Sequence, residues 1–267
     1  MSADRTPLLD HPIADRSVFT PGDLMAAVRR ERQLVATPVP PLCVLDFDGD
    51  LTDGLARGGT ATRSASWACF HTQMLTLAID GLECGIVPRT IGGPYAVLIA
   101  EQLHAAGARL IIGVTSAGRL QPALPLPSIV VVDEAIRDEG TSLHYLPASA
   151  TVPTPTPSLL EHLTRELGAV GIVQPGLVWT TDAPYRETAA QLQQWTDAGA
   201  LAVEMQAASL FAFGAASGAR IGVVALVSNS PTSSGEQFDT GGHAYRVQVL
   251  TAIARAARIF IAHPQES

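Results

Sequence analysis

The residues able to do chemistry are scattered along this 267-residue chain, yet most follow directly on a short apolar run. Asp46-Phe47-Asp48-Gly49-Asp50 follows Leu42-Cys43-Val44-Leu45, and Ser116 follows the run from Arg109 to Ile112. Asp182 follows Leu177-Val178-Trp179, Glu204-Met205-Gln206 follows Leu201-Ala202-Val203, and Ser228-Asn229 closes the run from Ile221 to Val227. Runs of that length read as buried strands, and open α/β sheets bind ligands at the carboxyl ends of their strands. The pattern therefore predicts one small-molecule crevice assembled from distant segments. Asp48 and Asp50 are the candidate acid–base groups, because a general base needs only to reach the proton of a bound water. Capping of their own loop is the other reading of that pair. His71, in Trp67-Ala68-Cys69-Phe70-His71-Thr72, stands apart and is either a pocket residue or a hydrogen-bonded surface or core histidine.

Composition narrows the choices. A hydrophobic fraction of 47% at this length supports a sizeable core, and 5% aromatic content means that Ala, Val, Leu and Ile must build it. A net charge of -8 argues against nucleic-acid or anionic-membrane partners. All 17 basic residues are Arg, which removes a Walker-type phosphate loop, a Schiff-base lysine and any other lysine-dependent scheme. Cys43, Cys69 and Cys84 are widely spaced with no paired ligand motif, so they read as reduced, structural thiols of a cytoplasmic protein, and no metal site is expected. Neither a signal peptide nor a membrane-spanning run is visible.

The elements that must position these residues follow from periodicity and turn chemistry. Residues 1 to about 20 read as a loosely ordered arm, and Pro21-Gly22-Asp23 opens a helix ending in Arg29, Arg30 and Arg32. Residues 1–38 are thus an N-terminal arm and helix, and 39–267 a single catalytic domain. The stretch from Gly54 to Asp80 has no regular pattern, whereas Cys84–Val87 reads as a strand and Pro94 suits the first turn of a helix over Tyr95–Ala106. Ser158-x-x-Glu161 fits a capping box, a helix is expected from Glu187 to Trp195, and a last helix from about Gly242 to Ala262 carries Val247, Leu250, Ile253, Ala254 and Ala257 on its apolar face.

Three elements carry a family resemblance. Thr181-Asp182-x-x-Tyr185 with Val203-Glu204-Met205-x-Ala207-Ala208, the turn Ile91-Gly92-Gly93-Pro94, and Arg137-Asp138-Glu139-Gly140-Thr141-Ser142-x-His144 together resemble nucleoside phosphorylases, nearest the uridine phosphorylase branch. The likeness spans about residues 40 to 262. It implies a three-layer α/β/α sandwich around a central mixed β-sheet, cleavage of the N-glycosidic bond of a nucleoside, no cofactor beyond phosphate as a candidate co-substrate, and a homo-oligomer: dimer, trimer or hexamer. Asp-x-Asp-Gly after an apolar strand also resembles the nucleophile loop of haloacid-dehalogenase phosphatases, with Asp46 attacking and Asp48 as acid. That pattern, however, wants Thr at Asp50 and a later Lys.

The resemblance also assigns roles. Glu204, Met205 and Gln206 stand where the family grips the ribose hydroxyls, although its last carboxylate is an amide here. Ser116 is placed to touch phosphate and sugar, Tyr185, Arg186 and Asn229 lie near the base, and Asp182 is a further substrate-binding candidate. Arg137 is expected to order its loop as an ion-pair scaffold with Asp138 or Glu139. The family's three phosphate arginines fall on Asp53, on Phe70 or His71, and on Gly113. Their joint loss leaves three outcomes open: phosphorolysis with a relocated anion site (Arg89 or Arg186), hydrolysis with Asp48 or Asp50 activating water, and a non-catalytic nucleoside-binding paralogue.

Overall fold

The computed structural model describes residues 6–10, 12–229 and 242–263. Its centre is a ten-stranded mixed sheet in the order β10-β6-β8-β9-β5-β1-β4-β3-β2, with β7 on the side of β6. The strands are β1 (Leu42–Asp46), β2 (Thr62–Arg63), β3 (Leu75–Ile79), β4 (Leu82–Pro88), β5 (Leu110–Arg119), β6 (Ser128–Asp138), β7 (Thr151–Pro153), β8 (Val173–Thr181), β9 (Ala202–Glu204) and β10 (Ile221–Asn229). The helices are α1 (Pro21–Arg32), α2 (Asp50–Arg57), α3 (Gly93–Ala105), α4 (Ser158–Leu167), α5 (Ala189–Asp197), α6 (Ala207–Ser217) and α7 (His243–Ala262).

The three layers follow from what each helix buries. Met25 and Val28 of α1 pack in one cluster with α3 (Ala96, Val97, Ile99) and α6 (Leu210, Phe211, Phe213). Leu51 and Leu55 of α2, Leu159 and Leu163 of α4 and Leu250 and Ile253 of α7 form a second cluster on the opposite face. With aromatic residues scarce, small side chains fill both layers; Ala252, Ala254, Ala256 and Ala257 let α7 lie close to the sheet.

β1 runs parallel to β4 and β5, and β5 parallel to β10, so their carboxyl ends share one edge. Short β9 runs antiparallel to β5, with Val203 opposite Gly118, and parallel to β8, with Glu204 opposite Thr180. Because β10 pairs with both β5 and β6, five strands close into a hydrogen-bonded ring, β5–β10–β6–β8–β9. That closure rests on pairings distant in sequence, and local periodicity does not reveal it.

Several local expectations change. The region from Gly54 to Asp80 holds the end of α2 and the antiparallel pair β2–β3, not an irregular segment. β5 extends to Arg119, well past Ile112. The helix expected from Glu187 starts at Ala189, because Thr188 and Gln191 form a reciprocal capping box. The box expected at Ser158 does not form: Pro157 occupies the cap, and the Ser158 hydroxyl is buried without a partner among the described residues. Arg137 orders its loop through neutral acceptors, donating to Ser142 Oγ, Ser149 Oγ and the carbonyls of Leu146 and Pro147.

Candidate functional site

The loop after β1 sets the floor of the site. Asp46 is fully buried, and its Oδ2 accepts from the backbone N–H (2.8 Å) and hydroxyl (2.6 Å) of Thr52, tying the strand end to the first turn of α2. Burial raises the Asp46 carboxyl above its ordinary range, against the pull of the Thr52 hydrogen bonds. Burial and the commitment of Oδ2 to the helix start speak against Asp46 as an attacking nucleophile. Gly49 follows in a left-handed conformation (φ 88°), and a Cβ there would stand 2.8 Å from Cγ of Arg89.

Asp48 points the other way, across the sheet edge to β5. Its Oδ1 accepts from Ser116 Oγ at 3.0 Å and its Oδ2 from the Ser116 backbone N–H at 3.1 Å. Arg246, 2% exposed on α7, brings Nη2 to 3.5 Å from Oδ2 of Asp48 and 3.5 Å from Oδ2 of Asp50. Beside Ser116, Thr115 Oγ1 donates to Gln206 Oε1 at 3.3 Å. Five candidates are thereby drawn together, directly or through a neighbour: Asp48, Asp50, Ser116, Gln206 and, preceding it in the chain, Met205.

Glu204 lies next to this group but turns inward. It is 3% exposed, and its two oxygens accept from Thr180 Oγ1 (2.5 Å) and from the backbone N–H groups of Gln206 (2.7 Å) and Ala207. The carboxylate thus serves the N-terminus of α6. Burial pushes its pKa up to about 7, opposed by those donors. Asp182 is more open; its Oδ2 accepts from the Gly140 N–H at 2.9 Å, and burial raises its carboxyl. It joins β8 to a loop in which Glu139 accepts from Ser209 Oγ and the Ser142 N–H.

The other candidates are dispersed. Tyr185 is fully exposed and Arg186 exposed on a single 3-10 turn, Pro184–Arg186. Asn229 ends β10 opposite Gly118, and its side chain lies outside the described residues. His71 lines a separate cavity of about 690 Å³ with Thr52, Asp53, Arg89 and Tyr95. That hollow adjoins the start of α2 and also holds Arg89, the candidate for a relocated anion site, with Arg32 and Arg63. Among the described residues no group of three or more His, Cys, Asp or Glu side chains is arranged to hold a metal ion, and no helix is long and apolar enough to cross a membrane.

Two positions explain missing arginines. Gly113 has no room for any side chain, since a Cβ there would lie 2.7 Å from Cζ of Phe47. Asp53 is ion-paired to Arg89 at 2.5 Å, which holds its carboxyl below the usual range. Sequence reasoning missed Arg246, although a signal existed. Arg246 lies three and four residues before buried Val249 and Leu250, a charged side chain on the buried face of an otherwise apolar helix.

Residues 59–262 match the family model of the phosphorylase superfamily. The chain is similar to the guanosine phosphorylase of Halorubrum lacusprofundi, 27% identical over 191 residues, 70% of this chain and 78% of that protein. It is 32% identical to the uridine phosphorylase of Treponema pallidum over 153 residues, covering 53% of this chain and 59% of the other. With the uridine phosphorylase of Escherichia coli it shares 26% identity over 165 residues, 56% of this chain and 64% of its relative. The match to these two uridine phosphorylases thus spans less than two thirds of their length.

Proposed function

Because the chain belongs to the phosphorylase superfamily, we propose that it is a pentosyl-transferring enzyme that cleaves the N-glycosidic bond of a nucleoside. The carrying observation is continuity. Asp48 and Ser116 are joined by hydrogen bonds, and Thr115, next in the strand, is joined to Gln206 of the Glu204-Met205-Gln206 run. The candidates thus gather around the carboxyl end of β5, Asp48 on Ser116 and the buried Gln206 on Thr115, and the named relatives are phosphorylases of guanosine and uridine.

Breaking a glycosidic bond develops positive charge on the sugar ring and negative charge on the departing base. In this reading Met205 and the Gln206 amide lie along the sugar, and Asp48 and Asp50 flank the side from which the acceptor approaches. Hydrogen bonds to the departing base would stabilise the leaving group, but Tyr185 and Arg186, the residues expected there, stand in solvent on their own turn. Glu204 acts through the start of α6, holding Gln206 in place by accepting from its backbone N–H. His71 lines a separate hollow, and we assign that exposed segment to contact with a second copy in a cytoplasmic homo-oligomer.

Release of free base from a panel of purine and pyrimidine nucleosides, followed by chromatography with and without phosphate, tests the reading. Cleavage of at least one nucleoside that is lost in Gln206→Ala is the expected result. Binding without release across the panel would replace the enzyme with a nucleoside-binding protein.

A further inference from the structure

The hollow beside the start of α2 gathers positive charge in a chain whose formal net charge is -8. Arg32, Arg63 and Arg89 line it, and Asp53 is the one acidic residue in its wall. The three arginines arrive from separate elements: the end of α1, the short strand β2, and the position that follows β4.

Each guanidinium is held differently. Nη1 of Arg32 donates to the Cys69 carbonyl at 2.8 Å, and its Cζ lies 5.2 Å from the centroid of the Phe70 ring. Arg63 is exposed and makes no hydrogen bond or ion pair with a described residue. Arg89 is the most constrained of the three. Its backbone is left-handed (φ 56°), uncommon for a residue other than glycine, and its N–H donates to the Asp46 carbonyl at 2.8 Å. Asp46 pairs with Pro88 across parallel β1 and β4, so Arg89 starts from the carboxyl edge of the sheet, where α/β folds take their ligands. Its side chain then crosses Gly49, the position at which a Cβ would come within 2.8 Å of Arg89 Cγ. A backbone conformation of this kind is kept where the surrounding structure enforces it, and here it delivers a guanidinium to the hollow. The partner of Arg89 is Asp53, in an ion pair whose side chains are 60% and 40% exposed, and exposed pairs of this sort contribute little and are readily exchanged. Asp46 and Asp50 act on Arg89 only as weaker, more distant charges.

We infer that this hollow is a binding site for a phosphoryl oxyanion, either free phosphate or the phosphate end of a monoester. Arg63 and Arg89 offer planar forks of donors that match phosphate oxygens, and Arg32 and the His71 ring add further donors from the same wall. Asp53 gives up Arg89 when the anion enters. A volume of about 690 Å³ exceeds what phosphate alone fills, and Phe70, Leu75 and Tyr95 supply an apolar wall for the body of a monoester. All these residues belong to one chain, so the site does not depend on a second copy. It stands apart from the cleavage reading.

Calorimetric titration of the whole chain at low ionic strength tests the site, with inorganic phosphate and ribose 5-phosphate as probes and sodium chloride as control. Wild type is expected to bind at least one probe with millimolar or tighter affinity. Arg63→Gln and Arg89→Gln should each weaken that binding about tenfold, as expected for loss of a charge-assisted contact. Asp53→Asn removes the carboxylate that competes for Arg89 and should tighten binding severalfold, a gain that a folding defect does not produce. Tighter binding of ribose 5-phosphate would identify a monoester as the ligand, and equal or tighter binding of inorganic phosphate would identify the free ion. Wild type that takes up neither probe at about 10 mM would overturn the proposal. So would arginine variants that bind like wild type, or an Asp53→Asn variant that binds more weakly. The titration reads binding alone, so its outcome does not hang on whether any nucleoside is cleaved.

Discussion

Neutralising Glu204 should change how the stability of this protein depends on pH. The side chain is buried at the start of α6, and burial lifts its pKa from the usual 4.5 to about 7. A carboxyl whose folded pKa lies above its unfolded value contributes stability that is fully present below about 4.5 and is lost as pH rises toward 7. At about 1.4 kcal/mol for each pH unit of difference, the whole loss is roughly 3 kcal/mol, of which about 2 to 3 falls between pH 5 and pH 8. Glu204→Gln removes the titration. It also turns an amide NH₂ toward donors that now meet an oxygen, the Thr180 hydroxyl and the N–H groups of Gln206 and Ala207. One mismatched buried donor costs about 1–3 kcal/mol. At pH 5 the protonated wild-type carboxyl already meets the same donors with an O–H, so the two proteins should differ little there, and the variant should be the more stable by about 2 to 3 kcal/mol at pH 8. Urea unfolding of both proteins at pH 5, 6, 7 and 8 measures this. A gap constant across that range would mean that Glu204 is ionised throughout, and would refute the argument from burial.

Arg246→Met should destabilise the fold by about 3 kcal/mol, because it leaves Asp48 and Asp50 without their shared cation at the sheet edge; chemical denaturation measures the loss, and an effect below about 0.5 kcal/mol would show that the ion pairs are not structural. Gly113→Ala should cost about 1–3 kcal/mol through the clash with Phe47, and a second change, Phe47→Leu, should recover part of it. The Cys84 thiol, pushed up to about 12 by burial, should resist alkylation at pH 8 in the native state and react once unfolded. Labelling within minutes under native conditions would contradict its burial.

The elements of this fold were legible where local chemistry decides them. Pro21 and Pro94 opened helices as their fixed φ favours, and the final helix announced itself by its apolar stripe. What sequence could not show was the use to which a polar residue is put. Glu204 and Asp48 both follow apolar strands and look alike on paper. Yet one is turned inward to serve a helix N-terminus and the other outward to Ser116. Arg137 kept its ordering role but found carbonyls, not carboxylates, because the loop from Leu146 to Ser149 folds back over it. Tyr185 keeps its motif position while standing fully in solvent, since the turn that carries it ends before reaching the crevice.

The ring formed by β5, β10, β6, β8 and β9 has a mechanical consequence. An open sheet can be peeled apart from an outer strand, one ladder at a time, but a circuit of strands has no outer member from which unzipping could begin. Its weakest link is three-residue β9, which lies between Thr180 and the Thr115–Gln206 contact and so sits at the crevice itself. A ligand that braces Met205 and Gln206 would therefore fasten the shortest stave of the barrel, and occupancy of the site and cohesion of the sheet would rise together.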